Sequence, residues 1–435
     1  MYFHGTSRMN EDGQLEIGGI STVELAKTYG TPLVVYDVAQ IRKRASEFKK
    51  AFEKEQVKGR VTYASKAFSS VAMIQLMNEL ELGLDIVSGG ELYTAQKANF
   101  PMEKIHFHGN NKSVEEIEMA LDAKIGHIVV DNFFELQLLE RICKEKQIKA
   151  RILLRITPGI EAHTHEYIST GQEDSKFGFD LMSGQVEEAL SFAQKSEWLV
   201  LDGIHSHIGS QIFSTTGFVM VIEKLAEAMA KWQEEYKFMP TILNVGGGFG
   251  IRYVKEDTPL PAEQYVEEIL QAVKKETEKR GLPLPEVWIE PGRSLVGEAG
   301  TTLYTVGSEK EIPNIRKYVA VDGGMGDNIR PALYQAKYEA VLANRLQDKC
   351  EETVSIAGKC CESGDMLIWD LPLPKATAGD LLAMFCTGAY GYSMASNYNR
   401  LPRPAVIFVE NGKSQLIIRR ETYEDIVRLD LPYEK

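Results

Sequence analysis

None of the five cysteines of this chain (Cys143, Cys350, Cys360, Cys361 and Cys386) stands in a Cys-x-x-Cys pair. An odd count without that spacing argues against a disulfide framework and against structural zinc, so the five read as reduced thiols. Long apolar runs are missing too: no stretch approaches the roughly 20 residues that cross a bilayer. The opening MYFHGTSRMNEDG is polar and has no apolar signal core, so no membrane role is expected and the expected compartment is the cytoplasm. Basic residues are the minority, 49 against 62 acidic ones, for a formal charge of -13 without long runs of one sign. That excludes a broad basic surface for nucleic acid or anionic lipid, and any anionic ligand must be held by local groups. Repeats, low-complexity segments, a Walker A loop and a Gly-rich dinucleotide fingerprint are also lacking. What remains is an ordinary apolar content, 44% of 435 residues with 26% charged, which is ample for a large core.

Short β-rich runs recur at 60–64, 84–87, 105–107, 127–130, 151–156, 200–208, 241–246 and 286–290. Between them lie segments with apolar residues at helical spacing, such as VAMIQLMNELEL, VEEIEMALDA and FELQLLERICKEK. Alternating strands and helices imply parallel pairing, and eight such units can close as a (β/α)8 barrel, the eighth helix coming from residues 37–56 ahead of the first strand. An open doubly wound sheet is the alternative. After about residue 295 the pattern changes to strands without helices between them, in TTLYTV, KYVAV, TVSIAG, DLLAMFC, AVIFVE and QLIIRR. The expected class is therefore α/β plus all-β: an N-terminal segment 1–36, whose LEIGG and LVVYD are to pair with the C-terminal sheet, a barrel over 37–292, and a β domain over 293–435.

Lys66, in YASKAF, stands just past the first strand, at the barrel face where chemistry is usually presented. A lysine amine there can form a Schiff base with a carbonyl cofactor. Polar residues at the other strand ends are Asp85 with Ser88, His108, Asp131, Arg155, His207 with Ser210, Gly246 to Gly248, and Glu290. Gly246-Gly247-Gly248 can point N–H groups at a phosphate, or can be a plain turn. Glu290 can hold a pyridine nitrogen protonated, or can be half of a structural pair with Arg293. The pairs His106/His108, His163/His165 and His205/His207 invite a metal reading, but no carboxylate or cysteine in the sequence obviously completes a ligand set. His207 reads better as a flat ring packed on a planar cofactor. In Cys360-Cys361-Glu362-Ser363-Gly364-Asp365 a thiol stands near carboxylates and could move a proton, against the alternative of inert packing. Arg330 with Tyr334 offers a fork for a carboxylate, or an ordinary surface salt bridge. Tyr390, among glycines, suits a phosphate or substrate contact and equally a turn.

Taken in order, HGTSRMN, YASKAF, GLDIVSGGEL, FHGNNK, HIGSQ, NVGGGFG, EPGRSLV, DGGM, RPALY, CCESGD, GAYGYSMASNYN and RRETYEDIV resemble, end to end, the fold-type III pyridoxal phosphate enzymes of the alanine racemase and ornithine decarboxylase superfamily. More narrowly, the chain resembles the bacterial diaminopimelate decarboxylases of the Bacillus type. The resemblance implies an alanine racemase-like barrel with a C-terminal β domain, pyridoxal 5'-phosphate as cofactor, and conversion of meso-diaminopimelate to L-lysine and carbon dioxide, the last step of lysine biosynthesis. It implies that Lys66 carries the cofactor, His207 stacks on its ring and Glu290 pairs with its nitrogen. Gly246, Gly247, Gly248, Ser210, Gly292 and Tyr390 would hold the phosphate, and Asp85, Arg155 and Arg293 would join the cofactor site. Arg293, Arg330 and Tyr334 would bind the distal carboxylate, with Glu362 on the distal amine and Tyr390 again near the substrate. Cys361, reaching over from the partner subunit of a homodimer, would return a proton to the substrate, with Lys66 as the alternative donor. Other readings are a decarboxylase of another amino acid such as D-ornithine or D-lysine, a non-catalytic homologue that binds a partner, and a metal-dependent barrel hydrolase. The polar loop from Glu161 to Phe179 is expected to cover the site.

Overall fold

The computed structural model describes residues 2–160 and 175–434. The segment 161–174, which holds His163, His165 and most of the expected cover loop, lies outside the described residues. Two compact units divide the chain: Arg44–Ile251 with Thr258–Ser294, and Met1–Lys43 with Arg252–Asp257 and Leu295–Lys435.

The first unit holds eight parallel strands, Gly59–Ala64, Gly83–Ile86, Ile105–Phe107, His127–Val130, Ala150–Thr157, Leu199–His205, Ile242–Asn244 and Glu286–Ile289. Each pairs with its neighbours in chain order, and the eighth pairs back onto the first through Val287↔Gly59 and Ile289↔Val61, so the sheet is a closed barrel. A short strand, Phe179–Asp180, adds to the fifth. Four successive helices begin at Ser70, Ser88, Ser113 and Asn132, whose side chains accept an N–H from Met73, Glu91, Glu116 and Glu135. Each such cap contributes about 1 kcal/mol and fixes where the loop above the strand ends and the helix begins. The helix Val38–Glu55 precedes the first strand, and its Phe48 ring lies 5.7 Å from that of Phe249. Inside, Trp288 packs with Val129, Leu153 and Ile242, and the His106 ring stacks on it at 4.3 Å.

The second unit is mainly β. The long strand Gly300–Ile312 pairs with Leu33–Asp37, Arg316–Val321 and Leu381–Phe385, and the sheet extends through Ala405–Glu410 and Lys413–Ile418 on one side and Glu352–Ala357 and Met366–Leu373 on the other. Two of its strands were not expected from the sequence. Ala340–Leu342 is only three residues long, and Met366–Leu373 carries Pro372, which weakens the strand signal. LVVYD sits centrally in this sheet, between Gly300–Ile312 and Ala405–Glu410. LEIGG does not join it: Leu15–Ile17 pairs with Arg8–Met9 and Ile20–Ser21 in a three-stranded sheet, because the positive-φ turn at Gly18 and Gly19 folds the chain back on itself. Among the described residues no helix is long and apolar enough to cross a membrane.

Candidate active site

Closure of the barrel puts the ends of the first, seventh and eighth strands side by side. The Ala64 N–H donates to Pro291 O at 3.2 Å, and Gly292 packs so closely on the first strand that a Cβ there would meet the Ala64 side chain at 3.0 Å. Lys66 follows in a single 3-10 turn, Ser65–Ala67; its side chain is exposed while Ser65 and Ala67 are buried. On the other flank Glu290 N–H donates to Gly246 O at 2.8 Å. The Lys66 strand, the glycine loop and Glu290 therefore share one mouth.

At that mouth Glu290 is 7% exposed and accepts from His108 Nε2 at 2.9 Å, Asn244 Nδ2 at 2.6 Å and His205 Nε2 at 3.0 Å. Burial by itself pushes this carboxyl up, but the two imidazoles outweigh it and hold it well below the usual carboxylate range, in its ionised form. Asp85, at the end of the second strand, is pushed well up, first by burial and then by the Glu290 charge, while the Lys66 ammonium offsets part of that. Its Oδ1 is buried without a partner, 3.8 Å from His108 Nε2. The surroundings thus push two neighbouring carboxyls in opposite directions, Glu290 down and Asp85 up.

His207, half-buried, accepts the Gly247 N–H on Nδ1 at 3.2 Å, which fixes the ring plane and leaves its proton on Nε2. Burial, then the Lys66 and Arg155 charges, keep this ring neutral by pushing its pKa well down. At Gly247 a Cβ would sit 2.0 Å from Glu290 O, and Gly248 has a φ of +99°, so the loop runs backbone against backbone where only glycine fits. Arg293 opens the next short helix and donates to Ser210 Oγ at 3.0 Å, so a guanidinium and a hydroxyl stand together near the glycine loop. Arg155 lies 3.8 Å from Asp131 and 4.2 Å over the Phe177 ring. A ring-sized ligand with a cationic nitrogen at one end and a phosphate at the other matches this donor and acceptor set: carboxylate, flat neutral imidazole, then glycines, serine and arginine.

The structure departs from the sequence reading in two respects. Glu290 is held by histidines and an asparagine and does not form the Glu–Arg pair. The His-x-His pairs do have a carboxylate near them: ligand atoms of His108, His205 and Glu290 lie within 4.8 Å of one another. Its source is the eighth strand, which no local spacing could reveal. Asn244 is a site residue that the glycine motif hides, although a lone amide ending the apolar strand Ile242–Asn244 is a usable signal.

Five further candidates belong to the second unit. Arg330 is buried rather than on the surface, with its guanidinium 5.0 Å over the Tyr253 ring and a hydrogen bond to the Tyr338 hydroxyl. Tyr334 ends the same short helix and is half-buried. The vicinal cysteines part company. Cys360 is 8% exposed and its thiol is pushed up to about 11, first by burial and then by Asp365, whereas Cys361 and Glu362 are exposed. Tyr390 is half-buried at a positive φ of 61°.

A family model described as the pyridoxal-dependent decarboxylase, pyridoxal binding domain, matches residues 38–297, more than half of the chain, and the chain belongs to that family. Its cofactor is accordingly pyridoxal phosphate. Over 434 residues, all of this chain and 99% of the relative, it is 65% identical to the diaminopimelate decarboxylase of Bacillus subtilis. The counterpart from Staphylococcus aureus is 47% identical, with 97% of this chain and 99% of the relative aligned. A crystal structure of diaminopimelate decarboxylase from M. jannaschii with L-lysine superposes with a TM-score of 0.93 at 37% identity, covering 100% of this chain and 99% of that one.

Proposed function

We propose that this chain decarboxylates meso-2,6-diaminopimelate to L-lysine and carbon dioxide, the closing step of lysine biosynthesis. The observation that carries the reading is the buried, ionised Glu290 at the same barrel mouth as Lys66, in a chain 65% identical along its whole length to a diaminopimelate decarboxylase. Pyridoxal phosphate supplies the electron sink that lets a carboxyl group leave from the α-carbon. Lys66 holds the cofactor aldehyde. Glu290 keeps a charge beside the ring nitrogen, and His207 offers a flat neutral face fixed by Gly247. Gly246 to Gly248, Ser210, Gly292 and Tyr390 hold the phosphate, with Asp85, Arg155 and Arg293 completing the surroundings.

Arg293, Arg330 and Tyr334 take the distal carboxylate, and Glu362 takes the distal amine. The exposed thiol of Cys361 suits a group that completes the site of a second copy, returning a proton to the α-carbon, so the active form is a homodimer with shared sites. The compartment is the cytoplasm. Lysine bound as a substrate, with its own α-carbon at the cofactor, would lack the distal carboxylate and leave a buried guanidinium without its anion, a cost of roughly 2–5 kcal/mol that discriminates against it.

Incubation of the cofactor-loaded protein with meso-diaminopimelate, followed by product identification, tests the activity: equimolar carbon dioxide and L-lysine are expected, and no turnover refutes it. Mixing Lys66→Ala with Cys361→Ala protein tests the shared site. Partial recovery of activity in mixed dimers is expected, and none at all would place both groups in one chain.

A further inference from the structure

Three side chains from three other strands converge on Glu290: His108 past the third, His205 ending the sixth and Asn244 ending the seventh. They are 5%, 1% and 0% exposed, so water does not substitute for any of them. An ionised carboxylate only accepts, which requires both imidazoles to carry their proton on Nε2. Two observations agree. Burial holds His108 down to about 4, so it is a neutral ring with one proton to give. The Nδ1 atom of His205 is buried without a partner, which a bare lone pair tolerates better than an N–H would.

A carboxylate offers about four acceptor positions. His108 and Asn244 take the two on Oε1, His205 takes one on Oε2, and one position on Oε2 remains. From this geometry we infer that His108, His205 and Asn244 are positioning residues, a clamp that fixes Glu290 as an ionised acceptor with a single open direction, and that the clamp as a whole sets how firmly the protein holds the protonated nitrogen of its cofactor. The inference rests on the reading of Glu290 as the partner of that nitrogen. The physical need is plain from the neighbouring Asp85: with no donor clamp, a carboxyl at this depth is pushed well up, first by burial and then by the Glu290 charge. The three donors oppose the push of burial on Glu290, and a protonated Glu290 would have no charge to hold a pyridinium.

The test compares wild-type apoprotein with His205→Leu, His205→Gln and Asn244→Leu, titrated with pyridoxal phosphate, and reads the cofactor nitrogen by NMR after 15N labelling. The wild type is expected to show a protonated nitrogen. Losing one charge-assisted hydrogen bond should weaken cofactor affinity about tenfold or more and move the 15N signal toward the unprotonated form in the two leucine variants. His205→Gln, which keeps an N–H donor, should recover part of both. Leucine variants with wild-type affinity and an unchanged 15N signal overturn the clamp. Should those variants not fold, 15N-histidine spectra of the wild-type holoenzyme decide alone: neutral Nε2–H tautomers at His108 and His205 support it, and an Nδ1–H tautomer at either overturns it. Wild-type protein that takes up no cofactor on Lys66 would instead refute the underlying assignment of the site.

Discussion

Replacing Lys112 by methionine should strand a charge in the barrel wall. Lys112 is 4% exposed, and its Nζ donates to Gly109 O at 2.8 Å, Val129 O at 2.9 Å and Glu135 Oε1 at 2.6 Å. Glu135 is 2% exposed and keeps only the Asp131 N–H, on Oε2 at 2.9 Å. Methionine fills nearly the same volume as the lysine stem, so the loss is electrostatic rather than one of packing. Removing one partner of a buried pair costs about 3–5 kcal/mol. Burial already pushes the Glu135 carboxyl up, with Lys112 as the first counterweight, so in the variant it can escape part of the penalty by taking a proton. The expected net loss near neutral pH is therefore toward the lower end, about 3 kcal/mol, or roughly 3–6 °C in Tm. Removing Glu135 as well, in Lys112→Met with Glu135→Leu, should recover most of it, because an apolar pair in place of a buried ion pair is close to neutral. Thermal denaturation of the four proteins of this double-mutant cycle is the assay. A single variant within about 1 kcal/mol of the parent, or a double variant less stable than the single one, refutes the reasoning. Lys112 also ties down Gly109, the residue after His108, so the single variant should bind cofactor less tightly even at temperatures where it is folded.

Two further outcomes follow from the same geometry. The unfolded His108 ring takes up a proton near 6.5 and the folded one only near about 4, so the unfolded state binds more protons in that window and stability falls as pH drops through it. The contribution reaches at most about 3 kcal/mol, and His108→Gln should flatten that part of the curve of Tm against pH; parallel curves would count against it. Tyr338→Phe removes the hydroxyl that accepts from Arg330 while keeping a ring beside the guanidinium, whose carbon lies 5.6 Å from the ring centre. A hydrogen bond to a charged group is worth about 1.5–3 kcal/mol, so KM for meso-diaminopimelate should rise roughly tenfold to a hundredfold with kcat much less changed, and an unaltered KM would remove Arg330 from substrate binding.

Much of the site was legible locally. The eight strand runs of the barrel fall within a few residues of the observed elements, because a buried parallel strand is a short β-branched run bounded by turn residues, whatever it later pairs with. Lys66, His207 and Glu290 stand at strand ends, which periodicity locates without any knowledge of closure. The glycines of the seventh loop announce close backbone approach, and the structure supplies the surface approached, Glu290 O against Gly247. Pro372 obscures the strand Met366–Leu373, and the sequence does not reveal which sheet Leu15–Ile17 joins, because a β-like run carries no record of its partner.

By itself, then, the sequence determined which residues end each strand and which face of each helix is apolar, since both depend on neighbours two to four positions away. Only the tertiary structure decided what those ends meet. His108 and His205 lie 182 and 85 positions from Glu290 along the chain, and ring closure brings all three onto one carboxylate. Folding likewise buries Arg330 between two tyrosines and separates a packed Cys360 from an exposed Cys361. Registers and burial depend on pairings across the whole chain, and the charge state of a buried group follows from them.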